Sequence, residues 1–240
     1  MSHIKNVHAF EKLLGYCTGY GGQYNPGQQN LQVEVLTTKM FNANKVIQDV
    51  IAAKTAYNNA TNSREIAFRK LPKLCSRVLS LLKSGGASQL TVEDALAVLR
   101  KISGKQLVDR LPVATPSETE ERGKKRSNGG FDYASRVSQF ASLLEMVMNE
   151  PNYKALEPEL SVQGLQSCLA TLRELNNRVI LAQVNLGEAR NKRNALLYRD
   201  EGNVVGTALA IKQYVRGVFG YRSAEHMQVA RLNFTKPNVS

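Results

Sequence analysis

The stretch LQVEVLTTKMFNANKVIQDVIAAKTAYNNATNSREIAF, residues 31–68, returns in outline as LSVQGLQSCLATLRELNNRVILAQVNLGEARNKRNALL, residues 160–197. At a constant shift of 129 positions, apolar and small residues fall in step. Leu31, Val33, Leu36, Met40, Val46, Val50 and Ala53 meet Leu160, Val162, Leu165, Leu169, Leu175, Val179 and Ala182. Near the end, Ala60, Asn62 and Arg64 meet Ala189, Asn191 and Arg193, a shared A-x-N-x-R. A fixed shift over so long a run is the mark of an internal repeat, and it decides how the rest of the chain is read.

Working upstream, Ile4, Val7, Phe10, Leu13 and Leu14 lie on one helical face and are answered by Ala134, Val137, Phe140, Leu143 and Leu144. A glycine- and tyrosine-rich loop, Gly15 to Gly27, separates the short helix from the long one. From about Gln28 to Lys70 there is neither Gly nor Pro, which predicts a helix roughly 60 Å long at 1.5 Å per residue. Its seam steps 33, 36, 40, 43, 47, 50, as a heptad does, and then passes to Ala53, Ala56, Ala60 and Ala67.

Downstream, Pro72 is expected to interrupt the helix, with Leu74 to Leu82 resuming it. Ser84-Gly85-Gly86 ends that piece, and Thr91 is read as the cap of a further helix to about Ile102. The second copy inserts a loop containing Asp200-Glu201-Gly202-Asn203. It then repeats the plan with a helix restarting at Thr207, a stop at Gly220, a cap at Ser223 and a last helix to about Leu232. The polar, charged run TPSETEERGKKRSNGG, residues 115–130, buries too little to offset its ordering entropy and reads as a flexible linker.

The expected fold is therefore all-α: an internally duplicated helical bundle built on two long helices related by a pseudo-two-fold. Residues 1–104 form the first helical repeat, 105–131 the charged linker and 132–240 the second repeat. The F-x-x-L-L pairs Phe10–Leu14 and Phe140–Leu144, the two A-x-N-x-R runs, the F-G-x-x-S of Phe219–Ser223 and the L-x-F-x-K-P of Leu232–Pro237 resemble a family of uncharacterised, internally duplicated helical proteins of Bacteroidota. The resemblance implies the duplicated fold and transfers no activity and no catalytic residue.

The chemistry points the same way. There is no G-x-x-x-x-G-K-[ST], no G-x-S-x-G and no H-E-x-x-H, and His3, His8 and His226 lack ligand spacing. Neither catalysis nor a metal or other cofactor is expected. Cys17, Cys75 and Cys168 are odd in number and widely spaced, which reads as buried free thiols of a reducing, cytoplasmic compartment. No run of about eighteen apolar residues would span a bilayer, and the N-terminal residues show no signal peptide, so no membrane partner is expected.

Net charge is +12, and the excess gathers beyond the same point of both copies, Arg64 to Lys83 and Arg190 to Arg222. Basic helix ends of this kind suit a polyanion, meaning nucleic acid or a nucleoprotein particle such as the ribosome. The candidate contacts are Arg64, Arg69, Lys70, Lys73, Arg77, Arg190, Lys192 and Arg193. Tyr16, Tyr20 and Tyr24 are candidate stacking residues, and the Asn62–Arg64 and Asn191–Arg193 pairs a candidate polar cluster. The alternative is a structural subunit that meets other protein chains in an assembly.

Overall fold

The computed structural model describes residues 2–104 and 132–236, so the linker expected at 105–131 lies outside the described residues. Those residues form seven α-helices and no strand: α1 Ser2–Gly19, α2 Val33–Ser84, α3 Gln89–Ser103, α4 Tyr133–Met148, α5 Val162–Asn194, α6 Val204–Phe219 and α7 Ala224–Ala230. None of these helices is long and apolar enough to cross a membrane.

α2 is a single helix of 52 residues with Pro72 inside it, which corrects the expected break. Proline has no N–H, so the carbonyl four residues earlier, on Phe68, loses its helical donor. Arg136 Nη2 of α4 donates to that carbonyl at 3.0 Å, and its guanidinium lies 5.2 Å from the centre of the Phe68 ring. Apolar burial also carries the helix across. Phe68, Leu71, Cys75, Val78 and Leu82 step by three and four, and none is more than 2% exposed.

Other boundaries move for similar reasons. α1 continues past Leu14 to Gly19 because Cys17 extends the buried face of Val7, Phe10 and Leu13. α2 starts at Val33 instead of near Gln28, since Gln29–Leu31 forms a 3-10 turn that delivers Leu31 to the core. The cap of α3 is Ser88, whose hydroxyl accepts from Thr91 N at 3.1 Å, so Thr91 lies inside the helix. Ser223 caps α7 in the same way, accepting from His226 N at 3.0 Å. α6 starts at Val204, three residues before the expected Thr207, because Asn203 caps it by accepting from Gly206 N at 2.8 Å.

The helices divide into two compact units, residues 1–58 with 182–240, and residues 59–181. The units do not coincide with the stretches 1–104 and 132–240: each takes the front of one and the back of the other. The first unit buries Val7, Phe10 and Leu13 of α1 and Leu36, Met40 and Ala43 of α2 against Leu197, Ala208, Ile211 and Val215. The second buries Val137, Phe140 and Leu143 of α4 and Leu165, Leu169 and Leu172 of α5 against Phe68, Leu71, Val78 and Val98. In the first, Tyr24 OH donates to Leu31 O at 2.8 Å; in the second, Tyr153 OH donates to Leu160 O at 2.7 Å.

The division falls where α2 has no buried residue, between Ile47 and Phe68. Val50, Ala53, Tyr57, Ala60, Arg64 and Ala67 are half-buried there, while Ala56 is exposed, contrary to the expected alanine face. After α5 the chain leaves the helix by a π turn, Ala195–Arg199, and a loop whose Gly202 has φ 67°. Lys39 holds this loop, donating to Gly202 O and, at 2.8 Å, to Thr207 Oγ1. Burial pushes the Lys39 pKa below the usual lysine range.

Candidate functional site

Of the eight basic candidates, Arg64, Arg69, Lys70, Lys73 and Arg77 belong to the second unit and Arg190, Lys192 and Arg193 to the first. Three of them, Lys70, Lys73 and Arg77, line a groove of about 720 Å³ in the second unit. One wall is the face of α2 from Ser63 to Arg77, where Ile66 is 56% exposed and Ala67, Leu71 and Leu74 form the floor. The facing wall comes from Glu159 and from Gly164, Cys168, Thr171 and Leu172 of α5. The geometry of that wall is fixed at its start. Ser161 Oγ accepts from Gly164 N at 3.0 Å and donates to Pro158 O at 2.7 Å, folding the chain tightly over the first turn. A Cβ on Gly164 would lie 2.0 Å from Pro158 O, so only glycine fits. The fold-back brings Glu159 to the mouth, where it pairs with Arg77. Lys70 and Lys73 make no ion pair or hydrogen bond among the described residues.

The remaining candidates are placed differently. Arg69 pairs on the surface with Glu65 at 2.8 Å. The Arg64 guanidinium stacks 3.9 Å from the centre of the Tyr133 ring, with its Nε buried and unpartnered. Arg193 turns to its neighbour Asn194, donating to Oδ1 from Nε and Nη2. Burial lowers its pKa, and its charge in turn adds to the burial that lowers the His3 pKa. Asn62 and Asn191 are exposed, and Arg64 and Arg193 each serve a different unit. Arg190 is exposed, and Lys192 lines a smaller hollow of about 210 Å³ with Asp49 and Glu188.

The three tyrosines pack inward. Tyr24 is 5% exposed, and the Tyr214 ring sits edge-on to it at 5.3 Å. Tyr20 OH donates to Glu225 O and Gln228 Oε1, each at 3.1 Å, its ring lies 5.1 Å from Phe219, and burial pushes its pKa up to about 12. Tyr16 packs against the first core. The ring faces of Tyr24 are covered and offer no stacking platform.

An aromatic of the other kind sits at the turn between α6 and α7. Tyr221 is 64% exposed, with the guanidinium carbons of Arg216 and Arg222 at 5.1 and 5.4 Å from its ring centre. The His226 ring lies 5.5 Å away and accepts from Arg222 N at 3.3 Å through Nδ1. Arg222 has φ 66°, the one described residue other than glycine in the left-handed region. Neither arginine is in an ion pair among the described residues. The sequence signal was present in Arg216–Ser223, where one arginine precedes Gly220 and another follows it, but a helix stop explains that stretch equally well.

The thiols are free. Burial pushes Cys17 up to about 11 and Cys75 to about 12, and raises Cys168, which is half-buried in the groove wall. No group of three or more His, Cys, Asp or Glu side chains is placed to hold a metal ion among the described residues. No protein-family model, curated protein or solved structure matches the chain.

Proposed function

We propose that this is a non-enzymatic, internally duplicated, cytoplasmic protein that binds nucleic acid, free or within a nucleoprotein particle such as the ribosome, at a basic helix end. The observation that carries the reading is the exposed Tyr221 ring flanked by Arg216 and Arg222 at the close of α6. An exposed ring offers stacking area to any base, and two guanidiniums beside it, in no ion pair among the described residues, offer donors to the phosphates on either side. A strained, left-handed arginine is costly to keep, by about 1–3 kcal/mol, and such strain gathers at functional turns.

The duplication is supported by like burial at paired positions and by the equivalent tyrosine–carbonyl bonds, Tyr24 to Leu31 and Tyr153 to Leu160. Under that reading each unit joins the front of one repeat to the back of the other, as a dimer of two ancestral chains exchanging halves does. A pseudo-two-fold axis relating the long helices follows from the same reading.

The test is titration of single-stranded RNA and DNA at several salt concentrations. Tyr221→Ala weakens binding roughly 5- to 150-fold, since base stacking is worth about 1–3 kcal/mol. Arg216→Gln lowers the log–log salt slope by about 0.7, as one phosphate contact on a single strand is lost. Arg222→Gly removes the charge and relieves the backbone together, so it weakens binding while raising the melting temperature. Unchanged affinity in Tyr221→Ala, with an unchanged slope in Arg216→Gln, overturns the reading.

The second reading, a subunit of a protein assembly, is favoured by the apolar floor of the α2–α5 groove.

A further inference from the structure

The groove in the second unit differs from the Tyr221 turn in the chemistry it offers. Its lining contains no aromatic residue, so it has no surface on which bases stack. Its floor is aliphatic, with Ile66 more than half exposed at one end, and water covers that floor at a cost when the groove is open. Cations stand above the floor on one side only. Lys70, Lys73 and Arg77 follow at three and four positions along α2, on a single face of that helix.

One of these cations already holds a carboxylate. Arg77 pairs with Glu159 across the mouth, so the rim takes a carboxylate supplied by a neighbouring stretch of peptide. Lys73 and Lys70 stand one and two turns further in, with no anion among the described residues. From Ser63 to Arg77 the α2 wall is roughly 21 Å long, the length of about four helical turns. Two helices flanking an aliphatic trough of this length form the receiving half of a helix-in-groove arrangement.

The first unit provides a comparison, which rests on the duplication proposed above. At the shift of 129 positions Cys168 is answered by Lys39. Lys39 is engaged with the carbonyl of Gly202 and the hydroxyl of Thr207, in the loop and helix start that follow the π turn. The second unit has no such loop, because α2 runs straight on through Pro72. A stretch of the chain thus lies against this wall in one unit, and the corresponding wall of the other borders the groove.

We propose that the groove is a docking site for an acidic amphipathic helix of a partner protein. The helix lays aliphatic side chains on Ile66, Ala67 and Leu74 and sets glutamates or aspartates toward Lys70 and Lys73. This interaction is separate from the nucleic-acid contact at Tyr221, and either stands if the other fails.

The experiment uses the full chain and a labelled 18-residue peptide with leucines on one helical face and glutamates flanking them. A scrambled peptide of equal composition and a single-stranded oligonucleotide are run beside it. Anisotropy gives the affinity, and the rate of Cys168 alkylation reports occupancy, because that thiol lines the groove while Cys17 and Cys75 are buried. The amphipathic peptide binds at least 10-fold more tightly than the scrambled one and slows alkylation of Cys168. Lys70→Glu with Lys73→Glu, both on exposed positions, abolishes that preference with unchanged helicity, and Ile66→Gln alone weakens it. Equal binding of the two peptides overturns the proposal, as does full binding by the charge-reversed variant. An oligonucleotide that alone protects Cys168 overturns it too, by making the groove a nucleic-acid contact.

Discussion

Arg136 does the work of a missing backbone amide, and its neighbours show how. The guanidinium that bonds Phe68 O also faces the Phe68 ring, while its own Nε is buried without a partner. The proline and the arginine are therefore coupled. Removing the arginine leaves a half-buried carbonyl unpaired, at a cost of about 1–3 kcal/mol. Restoring an amide at position 72 supplies a helical donor to the same oxygen and lowers that cost. In a double-mutant cycle by denaturant unfolding, Arg136→Met destabilises the wild type clearly more than it destabilises Pro72→Ala. Equal losses in the two backgrounds mean that the carbonyl does not depend on Arg136. None of this is legible in the sequence, because Arg136 lies far from Pro72 along the chain.

At the scale of the element, α2 shows what the sequence tells and what it hides. Its helical character and its heptad-like seam from Val33 to Val50 follow from periodicity alone. Its continuation to Ser84 does not, because a proline in a helical pattern argues for a stop and only tertiary packing reverses that. The basic candidates show a similar limit: Lys70, Lys73 and Arg77 share a face by spacing, yet the facing wall belongs to α5, far along the chain. Local burial then predicts local stability. No residue of α2 between Ile47 and Phe68 is buried, whereas Phe68 to Leu82 is the best-packed part of the helix. Amide hydrogen exchange is expected to be at least 10-fold faster across 50–60 than across 70–80, since exposed helical hydrogen bonds open by fraying and packed ones need larger unfolding. Uniform protection along α2 would show that the middle is stabilised by contacts other than its own burial.

For the whole molecule, the consequence of the unit division is that neither the stretch 1–104 nor the stretch 132–240 contains a complete core. Leu36 and Met40 share a core with Ile211 and Val215, while Phe68 and Leu71 share one with Phe140 and Leu165. Fragments 1–104 and 132–240 made separately should each lack a cooperative melt as monomers. Mixed in equal amounts they should recover the helicity and the sharp thermal transition of the intact chain, which circular dichroism reads directly. A fragment that melts cooperatively as a monomer would mean that the stretches 1–104 and 132–240, and not the two compact units, are the folding domains.

The first unit is split in sequence, with one part before residue 59 and the other after residue 181, and the second is drawn from the stretch between them. A ribosome making this chain delivers α1 first and the helix that completes its core last. At about 5–20 residues per second, the apolar face of Val7, Phe10 and Leu13 waits roughly 10–40 s for α6 to emerge. The unit that begins at residue 59 closes first, so the usual N-to-C order of folding is inverted. During that interval the earliest-made helix is a client for a chaperone, and a stalled or truncated message releases a chain with one finished unit and one sticky end.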